Sequence, residues 1–311
     1  MVDLESVQKA ANIHKKVRNE IRYLIKPGVK IYDICTKIED KIRDYSEPNL
    51  NDGIGFPTGI SLNHVAAHYT PDKNDNYRLQ YDDVCKIDFG VHHDGWIIDS
   101  AFTVNFNPKW DPLLEASKDA VKNVIKNCGD GVRVSELGEI SEEIVRSYEI
   151  NGVPLKPIDN LYGHSINQWK IHGGKFIPGV KNDLPYKLKA GEFYAIEIFP
   201  STGYGTTKLD GESSHYMLKD NYSPKKFKFK RSSQLLNLLN TDFKTLPFCP
   251  RFLNYKYNIN YEPCIKELFY SEIISSHPPL IDNPGSKISQ FEHTIYVSES
   301  NVINLSEGDD Y

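Results

Sequence analysis

Apolar residues repeat at helical spacing over the first twenty-five positions of the chain. The stripe consists of Val7, Ala10, Ala11, Val17, Ile21 and Leu24. Such a stripe is the buried face of an amphipathic helix, so we expect a helix from Leu4 to about Ile25, ended by Pro27-Gly28. Similar spacing predicts three further helices, at residues 32–44, 112–127 and 135–148.

Four later segments are apolar runs rich in strand-forming residues, and each contains one acid. The runs are CKIDFG around Asp88, WIIDSAFTV around Asp99, FYAIEIF around Glu197 and QFEHTIYV around Glu292. A lone ionised carboxylate buried in such a strand costs several kcal/mol or changes its pKa. We therefore expect the four acids to share one site that compensates their charge.

A histidine completes the ligand set that these acids suggest. His164, in YGHSIN, offers a neutral nitrogen beside the four carboxylates. Carboxylate oxygens together with one imidazole are typical ligands of divalent metal ions, and a site with this many carboxylates suits two of them. The sequence therefore predicts a dinuclear metal site.

The two aspartates lie on neighbouring strands joined by a turn that contains His93, Asp94 and Gly95. A two-residue loop formed by His93 and Asp94 would place Asp88 directly opposite Asp99. A loop formed by Asp94 and Gly95 would shift the partner by two positions and keep both acids on one face. A three-residue loop would put them on opposite faces.

Charge and cysteine usage narrow the functional classes. The formal net charge of −5 argues against a general nucleic-acid-binding surface. The five cysteines are scattered and never form a CxxC motif, which favours a reducing compartment, and we expect the cytoplasm. The N-terminal residues contain no apolar signal-peptide region, and no stretch is apolar enough to span a bilayer. We expect no membrane partner.

An internal repeat suggests that the chain is duplicated. The segment GVKIYDICTKIEDKIRDYS begins at Gly28, and the similar GVRVSELGEISEEIVRSYE begins at Gly131. Downstream of these copies, DDVCKID resembles GEFYAIE, and His68 and His172 fall at nearly the same offset from the start of each copy. The pattern predicts two related helix–helix–strand halves with the metal site at their junction.

The stretch between Glu197 and Glu292 has little strand character. We expect a single domain over residues 1–311 that contains a helical insertion at about residues 217–279. Within it, SSQLLNLL is typical of a capped helix.

The basic and aromatic segment PKKFKFKR, at residues 224–231, has two interpretations. Such a segment can bind nucleic acid. We favour an edge strand with Phe227 and Phe229 inward and its lysines outward, and expect no specific nucleic-acid partner.

Taken together, these motifs resemble the methionine aminopeptidases, type 2 branch, within the pita-bread group of dinuclear metallohydrolases. The motifs stand in the family's order over nearly the whole chain: FPTGISLNHVAAHYTP, KIDFGVHHDGWIIDSAFTV, NLYGHSI, YAIEIF followed by STG, SHYM and QFEHTI. The resemblance implies an α+β pita-bread fold, in which two halves related by a pseudo-twofold axis surround a curved, mainly antiparallel sheet.

The same resemblance implies two divalent metal ions per chain, with manganese, iron or cobalt favoured and zinc also compatible. Asp99 and Glu292 would bridge both ions, Asp88 would bind one of them, and His164 with Glu197 would bind the other. A hydroxide between the ions would attack the peptide bond, with Glu197 as general base and then general acid.

Further roles follow from the resemblance alone. His172, in KIHGG, would donate a hydrogen bond to the oxyanion, and His68, in AAHYTP, would contact the substrate and help to move protons. The substrate pocket would also contain Phe56, Ile171 and His215. His277 is a departure, because the family commonly has tyrosine at that position.

The implied activity is removal of the initiator methionine from new proteins whose second residue is small. The expected partners are the N-termini of nascent polypeptides, with the ribosome as a further candidate, and the chain is expected to be a monomer. Two alternatives remain open: a prolidase or X-Pro aminopeptidase, and a non-catalytic pita-bread relative that binds RNA or ribosomes. Relatives of the second kind usually lack the metal ligands.

Overall fold

The structure is a computed structural model that describes residues 4–47, 52–223, 226–257 and 261–311. The α-helices are α1 (Leu4–Ile21), α2 (Ile31–Tyr45), α3 (Asp111–Lys126), α4 (Val134–Ser147), α5 (Lys230–Leu238), α6 (Pro250–Tyr257) and α7 (Glu262–Tyr270). The strands are β1 (Asp52–Leu62), β2 (Val65–Ala67), β3 (Val84–His93), β4 (Trp96–Asn105), β5 (Glu149–Ile150), β6 (Val153–Pro154), β7 (Lys156–Pro157), β8 (Tyr162–Ile166), β9 (Phe176–Pro178), β10 (Phe193–Ile198), β11 (Pro200–Ser201), β12 (Lys208–Leu209), β13 (His215–Leu218), β14 (Ile274–His277), β15 (Leu280–Ile281), β16 (Phe291–Val297) and β17 (Val302–Asn304).

The first four helices are confirmed, and each lies within a few residues of its predicted limits. In α1 the predicted stripe is the buried one as far as Ile21, because it packs against β3 and β4. The helix then tightens into a 3₁₀ turn at Arg22–Leu24, where Leu24 is exposed rather than buried.

Two antiparallel sheets form the centre of the molecule, one with strand order β1-β3-β4 and one with order β17-β16-β10-β8-β9. Side-chain hydroxyls join β4 to β16 where the two sheets meet. The Thr294 hydroxyl accepts from the Asp99 amide at 2.8 Å and lies 2.6 Å from the Asp99 carbonyl oxygen. The Ser100 hydroxyl donates to the carbonyl oxygen of Glu292 at 2.7 Å. These bonds place the Asp99 and Glu292 strands side by side.

The predicted duplication is visible in the main-chain hydrogen bonds of the two halves. The amide of Gly28 donates to the carbonyl oxygen of Leu79 at 2.7 Å, and the amide of Gly131 donates to that of Leu188 at 2.9 Å. Both glycines have positive φ, 88° and 80°, and a helix begins three residues after each of them. The positive φ explains why glycine occupies both positions, since larger side chains rarely adopt it.

The segment between β13 and β14 has a hydrophobic core of its own. Its buried side chains are Leu218, Leu235, Leu239, Phe248, Cys249, Phe252, Leu253, Tyr261, Cys264, Ile265, Leu268, Ile273 and Ile274. The strands β13 and β14 flank the segment and pair antiparallel, with His215 opposite His277, so the two ends of the segment lie side by side. The predicted insertion limits of 217–279, and the prediction of a single domain, stay predictions.

The sequence interpretation of residues 226–233 is wrong in two respects. Helix α5 begins at Lys230, and the Ser232 hydroxyl donates to Glu267 instead of capping the helix. Residues 226–229 form no strand, and the Phe229 ring is 42% exposed instead of inward. The reason is that the Glu267 carboxylate accepts the amides of Lys228 and Phe229, which a sheet would otherwise use. Residues 224 and 225, the first two of the basic and aromatic segment PKKFKFKR, lie outside the described residues.

No helix in the described ranges is both long enough and apolar enough to cross a bilayer.

Candidate metal centre and substrate cavity

The turn between β3 and β4 decides how the two aspartates are placed. Asp94 and Gly95 form the turn, with φ of 47° and 77°, which is the two-residue type that matches the twist of a hairpin. Asp99 therefore pairs with Gly90, and Asp88 lies two positions further along the same face. This is the second of the alternatives left open by the sequence.

Strand pairing in the second sheet brings the remaining acids and the histidine to the same place. Glu197 on β10 lies directly opposite Glu292 on β16. His164 on β8 pairs with Ala195, two residues before Glu197, so the imidazole shares its face. Ligand atoms of Asp99, His164 and Glu292 lie within 4.8 Å of one another. The structure thus gathers all five predicted metal ligands.

Burial and mutual repulsion shift the pKa values of the acids upward. Burial raises the pKa of Asp99 to about 7. Burial and then the neighbouring carboxylates raise the pKa values of Asp88, Glu197 and Glu292 well above the ordinary range. Burial lowers the pKa of His164 to about 4, so its imidazole is neutral at physiological pH.

The arrangement fits divalent cations. Within the described residues, Asp88 Oδ1 and Glu292 Oε2 are buried atoms that have no hydrogen-bond partner. Buried polar atoms normally have a partner, and a missing one indicates an ion or a water. His164 Nε2 lies 3.5 Å from Asp99 Oδ2 and 4.0 Å from Glu197 Oε1, with no charge of its own. Hard oxygens and one neutral nitrogen are a suitable donor set.

Gln290 contributes to the site and was missed by sequence reasoning. Its side chain is buried, and Nε2 lies 3.4 Å from Asp88 Oδ2 and 3.2 Å from Glu197 Oε2. The signal was present, because Gln290 lies two residues before Glu292 and therefore on the same face. The amide orients two acids that belong to different sheets.

Replacing Gln290 with alanine is expected to weaken metal binding by about 10- to 100-fold, the usual effect of losing a group that orients ligands. Titration of the metal-free protein with manganese would measure this change. Gln168→Ala, which removes an exposed amide bonded to Asp94, is the matched control. Unchanged affinity in Gln290→Ala would show that its hydrogen bonds do not position the ligands.

A cavity of about 330 Å³ opens from the cluster. All the residues predicted for the substrate pocket line it, namely Phe56, His68, Ile171, His172 and His215. Side chains that were not assigned to the pocket also line it, including Tyr162, Phe176, Phe199, Met217, His277 and Leu280. The roles assigned to these side chains remain predictions.

The absence of a side chain at Gly90 makes room for the Phe56 ring, which lines this cavity. A Cβ atom added there would meet the Phe56 ring at 2.3 Å, far inside van der Waals contact. The Phe56 ring can therefore lie over β3 and reach the cavity only because residue 90 is glycine.

Four histidines surround the cavity beside the metal ligands. The rings of His172 and His164 are arranged edge-to-face, with their centroids 4.6 Å apart. The centroid of the His68 ring lies 5.9 Å from that of His215 and 6.0 Å from that of His277. Burial lowers the pKa values of His68 and His172 to about 3, so each is neutral and has one donor and one acceptor nitrogen. His68 has φ of 67°, an uncommon conformation that is concentrated at functional sites.

Comparison with known proteins places this geometry in a family. The sequence matches metallopeptidase family M24 over residues 5–228. The chain belongs to this family. Methionine aminopeptidase 2A of Arabidopsis thaliana is 46% identical over 98% of this chain and 70% of its own length. Methionine aminopeptidase 2 of Komagataella phaffii is 44% identical over the same shares.

Solved structures confirm the pita-bread fold of this M24 protein. A thermophilic Arx1 superposes with a TM-score of 0.87 at 18% identity, covering 99% of this chain and 91% of that chain. A methionine aminopeptidase from Thermotoga maritima gives 0.66 at 18% identity, covering 98% and 96%. The prolidase from Pyrococcus furiosus gives 0.59 at 16% identity, covering 99% and 64%. At these identities the likeness shows the fold alone.

Proposed function

We propose that the protein is a methionine aminopeptidase that removes the initiator methionine from polypeptides with a small second residue. The observation that carries the proposal is a buried cluster of four carboxylates and one neutral imidazole that opens into a cavity with apolar walls. The identity of 46% to a methionine aminopeptidase over nearly the whole chain supports it.

The proposal assigns two divalent ions to the cluster. Asp88, Asp99, His164, Glu197 and Glu292 would hold them. Bound ions of this kind lower the pKa of a coordinated water and polarise a peptide carbonyl. A set dominated by carboxylates suits manganese, iron or cobalt better than zinc.

The chain's own side chains supply the proton transfers and part of the charge stabilisation. Glu197, held by Gln290, accepts a proton from the attacking water and returns it to the leaving amine. His172 donates its N–H to the carbonyl oxygen as negative charge develops there. His68 contacts the substrate and helps to carry protons, since its neutral ring can both donate and accept.

The apolar walls suit the first residue of the substrate. Phe56, Ile171 and Met217 offer surfaces against which a flexible thioether packs well. His215 adds a polar group whose orientation is set by a 3.2 Å hydrogen bond from Nε2 to the Pro57 carbonyl oxygen. Selection for a small second residue then follows from steric limits, because attraction for one methylene contributes only roughly 1–3 kcal/mol.

The function is tested by a peptide panel, with the metal-loaded protein given Met-Ala-Ser, Met-Trp-Ser and a dipeptide of the X-Pro type. We expect Met-Ala-Ser to be cleaved at least about tenfold faster than the other two, as steric exclusion of one or more methylenes from a packed pocket implies. Faster release from the X-Pro peptide would replace the proposal with the prolidase alternative. Absence of cleavage with bound metal would favour the non-catalytic alternative, which the complete ligand set disfavours.

The finer statements about partners belong to the same proposal. The protein acts on nascent polypeptides in the cytoplasm, as a monomer, with the ribosome as a candidate partner. The basic side chains of Lys226, Lys228, Lys230 and Arg231 are all exposed, and in this proposal they contact the phosphates of ribosomal RNA without reading its sequence.

A further inference from the structure

An exposed aromatic pair lies at the mouth of the substrate cavity. The side chains of Tyr162 and Phe176 both line the cavity, yet they are 38% and 42% exposed. Their ring centroids lie 6.0 Å apart at an interplanar angle of 59°. Neither ring belongs to a hydrophobic core cluster of the described residues, so burial in the core does not explain them.

Strand pairing places both rings on the same face of the sheet as a metal ligand. Phe176 on β9 is the register partner of His164 on β8, and Tyr162 lies two residues before His164 on the same strand. All three side chains therefore point to the face of the sheet that forms the cavity. The exposed fraction rises from 5% at His164 to about 40% at the two rings, so this face of β8 and β9 leads from the metal centre to solvent.

The spacing of His164 and Tyr162 along β8 matches a peptide in extended conformation. Two residues of a strand span about 6.6 Å, so Tyr162 lies roughly that distance from His164 toward the mouth. An extended substrate whose first residue lies at the metal centre would place its third residue at the same distance. The surface that the rings of Tyr162 and Phe176 form is uncharged and largely apolar, which suits an apolar side chain of the substrate.

We propose that Tyr162 and Phe176 form a subsite for the third residue of the substrate and favour an aromatic or apolar side chain there. The inference rests on the proposed aminopeptidase function. The rings act in binding and take no part in the chemical step, since they touch residues beyond the bond that is cleaved. A ring in contact with this pair gains the free energy of an offset or edge-to-face contact, which corresponds to about threefold to tenfold in kcat/KM.

The test compares three tetrapeptides that differ only in where the aromatic residue lies: Met-Ala-Ser-Ser, Met-Ala-Phe-Ser and Met-Ala-Ser-Phe. We expect the wild-type protein to prefer Met-Ala-Phe-Ser over Met-Ala-Ser-Ser by about threefold to tenfold, mainly through a lower KM. Moving phenylalanine to the fourth position should remove most of this preference. The double variant Tyr162→Ala/Phe176→Ala should cleave all three peptides with equal kcat/KM.

The chain offers a matched control on α7. Phe269 and Tyr270 are also an exposed aromatic pair, with centroids 5.6 Å apart, and they do not line the cavity. The variant Phe269→Ala/Tyr270→Ala should keep the wild-type preference. A second variant, Tyr162→Leu/Phe176→Leu, keeps the strands covered and should reduce the preference without lowering the melting temperature.

The two proposals fail in different ways. Equal cleavage of all three peptides by the wild-type protein, or a preference that survives in both cavity variants, would overturn the subsite and leave the aminopeptidase function intact. If the wild-type protein with bound metal cleaves none of the peptides, the proposed function and the subsite are both wrong.

Discussion

Asp99→Asn is expected to lower aminopeptidase activity by more than about 100-fold and to reduce the number of bound metal ions. The carboxylate belongs to the cluster, 3.5 Å from His164 Nε2, and adds to the effect of burial in raising the pKa values of the other three acids. Loss of a group that only orients a metal ligand lowers metal affinity or activity by about 10- to 100-fold. Loss of the charge on a ligand itself should lower them further.

The variant isolates the carboxylate from the fold. Asp99 joins β4 to β16 through its main-chain amide and carbonyl, which bond to Thr294 and are unchanged in asparagine. The measurements are metal content by elemental analysis, hydrolysis of Met-Ala-Ser and thermal melting. Asp183→Asn, at an exposed position, is the control. Two bound ions together with normal turnover in Asp99→Asn would contradict the assignment.

The local elements of this fold were predictable because short-range chemistry determines them. The α1 stripe and the repeated glycine before α2 and α4 follow from helix periodicity and from the need for positive φ. The acids were recognisable because charge inside an apolar strand needs a compensating partner. The sequence does not determine the hairpin register, since His93-Asp94 and Asp94-Gly95 are both possible turns.

Contacts between distant segments were beyond the sequence. Hydrogen bonds from the hydroxyls of Ser100 and Thr294 align β4 with β16. The sequence of either strand does not predict which strand lies beside it. The error at residues 226–231 has the same origin, because Glu267, far along the chain, takes the amides that an edge strand would have used. Which side chains complete the cavity mouth, such as Tyr162, depends on the pairing of β8 with β9.

Removal of the metal ions is expected to make thermal stability depend on pH through the same acids. Unfolded aspartate and glutamate titrate near about pH 4, whereas burial raises the pKa of Asp99 to about 7 in the folded metal-free protein and raises the other three as well. Between these values the folded state binds more protons, so its free energy of unfolding falls as pH rises. For Asp99 this contribution is fully present below about pH 4 and is lost as pH rises through about 7.

Buried histidines act in the opposite direction at low pH, because burial lowers the pKa values of His68 and His172 to about 3. The informative quantity is therefore the gain in melting temperature on adding manganese, measured at each pH. Bound cations compensate the ionised acids, so the gain at pH 7.5 should exceed the gain at pH 5.5 by about 5 °C or more. In Asp99→Asn this difference should shrink. An equal gain at both pH values would mean that the buried acids do not bind the metal as carboxylates, and the dinuclear assignment would lose its physical basis.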